Sequence, residues 1–122
     1  MTFHQNPASA FIFGTIILLP ITALAHPKLV RSNPAENAKI EAPQSVSVWF
    51  SEKIQPVFNK IEVIDAKGAH FEAGKPAIDS ADGTLMHVRV KQLRPGSYSV
   101  RWRASGADSH AMQGSFSFQV LP

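Results

Sequence analysis

The tract Ala23-Leu24-Ala25-His26-Pro27-Lys28 sets a histidine directly behind a small-apolar-small tripeptide. Cleavage after Ala25 would make His26 the first residue of the mature chain. A terminal histidine offers one metal ion two nitrogens, its imidazole Nδ1 and an α-amine with a reference pKa of about 7.7–8.0. Pro27 then matters, because Cu(II) at a free terminus commonly takes the next backbone amide nitrogen, and proline has no N–H to lose. The ion would need its remaining ligands from elsewhere in the fold. Read without cleavage, His26 is an ordinary solvated or hydrogen-bonded side chain; the plainer role for Pro27, cleaved or not, is to protect an exposed terminus or to start an edge strand.

Asp108-Ser109-His110 is the candidate second half of such a site. In extended backbone, residues two apart project to the same side, so the carboxylate and imidazole would converge on one point. Amine, two imidazoles and a carboxylate form a nitrogen-rich set suited to tetragonal Cu(II). The chain has no cysteine, so any metal must be held by nitrogen, oxygen or thioether sulfur. The alternative for Asp108 is a local Asx-type hydrogen bond.

The region before His26 reads as an export leader. Residues 1–25 contain no Asp, Glu, Lys or Arg. The apolar core 11–19 matches a signal peptide of roughly 7–15 apolar residues and falls short of the ~20 needed for a membrane span. Pro20 breaks the run before the cleavage tripeptide. An uncleaved N-terminal anchor is the alternative, because the first residues lack Lys and Arg. The expected organisation is a cleaved leader over 1–25 and one small domain over 26–122. The formal charge of +3 arises from twelve Lys and Arg against nine Asp and Glu. These are scattered in both signs with one basic cluster, Arg94, Arg101 and Arg103, which argues against nucleic acid as a partner.

The elements that must position these residues read as strands. Polar–apolar alternation runs over 45–51, 60–64, 85–91, 96–104 and 115–121, with weaker runs over 28–32 and 69–72. Turn signals separate them at Asn33-Pro34, Asp65-Ala66-Lys67-Gly68, Asp82-Gly83 and Arg94-Pro95-Gly96. About seven strands with no helix signal predict an all-β, immunoglobulin-like Greek-key sandwich, with a small closed barrel as alternative. Val46, Val48, Phe50, Ile61, Val63, Met86, Val88, Val90, Tyr98, Val100, Trp102, Phe116, Phe118 and Val120 are the expected core. Trp102 is placed inward yet near the metal, and Trp49 outward. Met86 is expected in the core and Met112 in loop packing or, less simply, as an axial thioether. His70 and His87 are expected at the surface, His70 with the option of weak metal binding. Arg101 and Arg103 form a solvated face with the option of partner docking.

These residues also carry a family resemblance. "HPKLVRSNPAENAKI", "VWFSEKI" and "LRPGSYSVRWRASGADSHAMQGSFSFQV" resemble the start, second strand and final hairpin of the CopC family of periplasmic copper-binding proteins. The resemblance implies a seven-stranded Greek-key β-domain holding Cu(II) through the terminal histidine and a late Asp-x-His, here His26, Asp108 and His110. The family's usual Asp-Gly-His reads Asp-Ser-His, so Ser109 must accept backbone that glycine takes easily. Some members bind Cu(I) through a Met-rich segment; only Met86 and Met112 follow residue 25, which implies a Cu(II)-only type.

The function expected is therefore a periplasmic Cu(II) carrier or buffer with one ion per chain, not an enzyme, and with an inner-membrane CopD-like protein as a possible partner. Two other classes compete: a copper-dependent oxidative enzyme built on a histidine brace, and a metal-free immunoglobulin-like structural module.

Overall fold

A computed structural model describes residues 2–4, 8–19 and 27–122. Residues 8–19 form no regular element, and large apolar side chains there, such as Phe11 and Ile12, stand exposed. His26 and the cleavage tripeptide lie outside the described residues.

Eight strands follow: β1 (Leu29–Asn33), β2 (Lys39–Ile40), β3 (Ser45–Phe50), β4 (Lys60–Asp65), β5 (Ala77–Ile78), β6 (Leu85–Arg89), β7 (Gly96–Ser105) and β8 (Ala111–Val120). They form two four-stranded sheets in the orders β1-β3-β6-β5 and β2-β8-β7-β4. Every pairing is antiparallel except β2 with β8. The result is the all-β Greek-key sandwich expected from the alternation, with eight strands rather than seven.

The inward positions repeat every second residue because successive side chains of a strand point to opposite faces. Val46, Val48 and Phe50 of β3 and Met86 and Val88 of β6 face Ile61 and Val63 of β4, Tyr98, Val100 and Trp102 of β7, and Phe116, Phe118 and Val120 of β8 in one buried cluster. Each such side chain contributes about 1.5–3 kcal/mol on burial. The Phe50 and Trp102 rings meet edge to face at 5.0 Å between centroids, joining the two sheets. The Tyr98 hydroxyl donates to the Arg94 carbonyl at 2.7 Å, pinning the turn that enters β7 in the manner of a tyrosine corner.

Three expectations are corrected. Residues 69–72 form only isolated bridges, at His70 and Glu72. The Val63 amide donates to the Glu72 carboxylate at 2.9 Å, so a side chain replaces a backbone rung. The last strand begins at Ala111, not at 115, and carries Met112 in β8, against the core, rather than in a loop. Finally β2 and β5, two residues each, have no alternation of their own and exist through pairing with β8 and β6.

Candidate metal centre

The β7–β8 hairpin delivers the first half of the site. Its ladder runs ten rungs, from Gly96↔Val120 to Ser105↔Ala111, so the connecting loop 106–110 is held at its base by a long rigid ribbon. The Ser109 amide donates to the Gly106 carbonyl at 3.0 Å, and Ser109 adopts the left-handed conformation, φ 64°. That turn brings Asp108 and His110 together. One Asp108 oxygen, Oδ1, accepts the His110 amide hydrogen at 3.1 Å. The other, Oδ2, lies 3.2 Å from His110 Nδ1. The carboxylate and imidazole therefore converge as expected, but through a tight turn and a left-handed residue instead of through extended backbone.

Two ligands with bonds of about 2.0–2.2 Å to a common ion stand roughly 3 Å apart when adjacent in its coordination shell. The Asp108–His110 separation has that spacing. The two side chains also differ in setting: Asp108 is 9% exposed and His110 is 72% exposed. A fixed carboxylate thus lies beneath an imidazole open to solvent.

The start of the domain reaches the same loop. Pro27 is fully buried. A Cβ built on Gly106 would stand 2.7 Å from Pro27 Cδ and 3.7 Å from Asp108 Oδ1. Only a residue without a side chain lets Pro27 sit this close to the loop, which explains a glycine at a position that shows no positive φ. Lys28 holds the approach: its amide donates to Ser51 Oγ at 2.9 Å and its carbonyl accepts the Ser51 amide at 2.8 Å. The loop after β3 is tied to the hairpin in turn, through the Gln55 amide and the Ser105 carbonyl at 2.8 Å.

The remaining candidates lie elsewhere. His70 Nδ1 pairs with Glu72 at 2.7 Å and stands 3.7 Å from Glu62, so it is exposed but engaged in a surface ion cluster. His87 sits mid-strand in β6, between Ser47 and Ala77. Met86 is wholly buried, and Met112 packs partly buried against the core, so both thioethers face inward. Trp102 lies three rungs from the loop, with its indole filling the space over Gly114. Trp49 faces outward under the Arg31 guanidinium, 4.0 Å from the ring centroid. Sequence reasoning missed Gly106. Its signal was a glycine just before Asp108 in a chain whose start was already suspected of reaching that loop. Among the described residues no three His, Asp or Glu side chains converge on a metal position. A cleft of about 790 Å³, lined by residues such as Phe58, Lys75 and Ile78, includes neither Asp108 nor His110.

Residues 29–121 match the CopC domain family. This chain is a member of that family. Its relatives include copper resistance protein C of Xanthomonas campestris pv. juglandis, 34% identical over 98% of this chain and 99% of the relative. Another is copper resistance protein C of Pseudomonas syringae pv. tomato, 31% identical over 89% of this chain and 91% of the relative. The crystal structure of CopC from Methylosinus trichosporium OB3b superposes with a TM-score of 0.74 over 80% of this chain and 95% of that one; at 24% identity it speaks for the fold alone. PcoC of Escherichia coli, described as a methionine rich copper resistance protein, is 29% identical with a TM-score of 0.69 over 79% of this chain and 99% of its own. Against that last relative, the CopC domain described here has both of its methionines turned into the core.

Proposed function

We propose that this CopC-family protein binds Cu(II) in the periplasm and acts as a copper carrier or buffer in copper homeostasis or resistance. The leader 1–25 is removed, and the ion is held by the amine and imidazole of His26 together with Asp108 and His110. The observation that carries this reading is the preset Asp108–His110 pair beside a buried Pro27 packed against the same loop. The relatives' names supply the metal, copper. The donor set of nitrogens and one carboxylate suits Cu(II), and the inward Met86 and Met112 leave no exposed thioether cluster for Cu(I). Affinity falls as pH falls, because amine and imidazoles must lose protons to bind.

The protein is a carrier in this reading rather than an enzyme: the site stands at a hairpin tip outside the 790 Å³ cleft, and a four-ligand set that includes Asp108 would leave less open coordination for oxygen. A CopD-like membrane protein fits as donor or recipient. The test is to purify the exported protein, determine its first residue by mass spectrometry, and titrate it with Cu(II) by calorimetry. The reading requires His26 at the terminus and one ion bound per chain. A different first residue, or copper uptake that His110→Ala leaves unchanged, overturns it.

A further inference from the structure

The outer face of the β4-β7-β8 sheet carries an arrangement that copper binding does not use. Arg101 and Arg103, on the outward positions of β7, are exposed, and their guanidinium groups make no ion pair or hydrogen bond among the described residues. Arg101 lies directly across from Glu62, its natural counter-ion. Glu62 is engaged by other cations: Oε1 takes Lys60 Nζ at 3.0 Å and Oε2 stands 3.7 Å from His70. Arg103 lies across from Lys60 on one side and Gln113 on the other. Like charges directly opposed across strands are destabilising, so this rung opposes the stability of the sheet that carries it. The remaining neighbours, Gln113 and Ser115, are neutral, and the groove between these side chains has a volume of about 450 Å³.

We propose that this face is a docking surface for the acidic surface of a partner protein, with Arg101 and Arg103 receiving its carboxylates. Guanidinium groups bind carboxylates through two parallel hydrogen bonds, and Arg101 and Arg103, two residues apart on β7, present their groups on one face. A lipid surface fits less well. Membrane-binding patches combine a polybasic cluster with apolar side chains that insert, whereas the two arginines are flanked by polar Gln113 and Ser115, and the exposed Phe58 lies beyond Lys60 and Glu62 in the neighbouring cleft. The Arg103↔Gln113 rung is two rungs, roughly 7 Å, from the Ser105↔Ala111 rung that carries loop 106–110. A partner seated on the arginines therefore meets Asp108 and His110 at its margin. That this partner exchanges copper rests on the proposed function; the docking itself does not.

The test uses metal-free protein purified from the exported fraction, titrated with an octaglutamate peptide and followed by amide chemical shifts. Shifts are expected at Arg101, Arg103, Gln113 and Ser115. Arg101→Ser/Arg103→Ser should weaken binding at least about tenfold, while Lys67→Ser/Lys91→Ser, which removes the same net charge away from this face, should change it by no more than about twofold. Raising salt from about 20 to about 300 mM should abolish most of the binding. Equal weakening in both double variants reduces the effect to net charge and overturns the proposal, as does peptide binding that survives loss of both arginines. Arginine-dependent binding to phosphatidylglycerol vesicles without peptide binding overturns it in favour of a membrane, and binding to neither probe overturns it outright. A copper titration of the arginine variant, expected to match the parent, keeps this outcome separate from the fate of the copper site.

Discussion

Pro27 and Gly106 interlock: the proline ring occupies the volume that any side chain at position 106 would need, with Cδ 2.7 Å from the ideal Cβ. The contact joins the segment that leads into β1 to the loop of Asp108 and His110. Gly106→Ala must push Pro27 outward, because the clash is with a rigid ring rather than a flexible side-chain end. The expected result is a loss of about 1–3 kcal/mol of stability, measured by urea unfolding. Copper affinity should fall at least about tenfold, measured with protein that is still folded. A variant that loses stability but keeps full affinity would show that the chain start does not complete the site.

Ser109 holds φ at 64°, where an L-residue is strained by roughly 1–2 kcal/mol and glycine is not. Glycine also loses more backbone entropy on folding, by about 0.5–1 kcal/mol. Ser109→Gly should therefore stabilise the domain slightly, by no more than about 1 kcal/mol, with copper affinity unchanged. Thermal unfolding of the metal-free variant checks the sign.

Glu72 sits beneath the β4 edge. Burial raises its carboxyl pKa, but hydrogen bonds from the Val63 amide, its own amide and His70, with the charge of His70, outweigh that and leave it below its ordinary 4.5. A depressed folded value means stability that is fully present above about pH 4.5 and is lost as pH falls through the folded pKa. Glu72→Gln should cost up to about 1 kcal/mol at pH 7. The gap between the two proteins should close in acid, below pH 4.5, as read from urea unfolding at several pH values.

Trp102 lies three rungs from loop 106–110, roughly 10 Å along the strand. Cu(II) bound at the loop should quench its emission. Trp49 faces outward on the other sheet beneath Arg31, so Trp49→Phe isolates the signal of Trp102. Fluorescence of that variant should fall with copper and saturate at one equivalent.

Much of the fold was legible because inward residues at Val46, Val48, Phe50, Tyr98, Val100 and Trp102 keep strict alternation between clear turns. The short β2 and β5 were not, since their pairing depends on partners distant in sequence. The run 69–72 read as a strand because Phe71 is apolar between polar neighbours. Its ladder fails where the Glu72 carboxylate takes the Val63 amide, a tertiary choice that alternation does not encode. In the site, Asp108 and His110 were legible as a pair, but the turn that joins them was read as extended backbone. Gly106 escaped because its role is defined by Pro27, a residue far away in the chain.

Electron paramagnetic resonance of one equivalent of Cu(II) bound to protein beginning at His26, set against the same protein with one residue added before it, reads the ligand set itself. The terminal amine and two imidazoles should appear as three nitrogen ligands in the first, and the added residue should change the spectrum and weaken binding at least about a hundredfold. Identical spectra and affinities for the two would mean that the copper is held without the terminal amine.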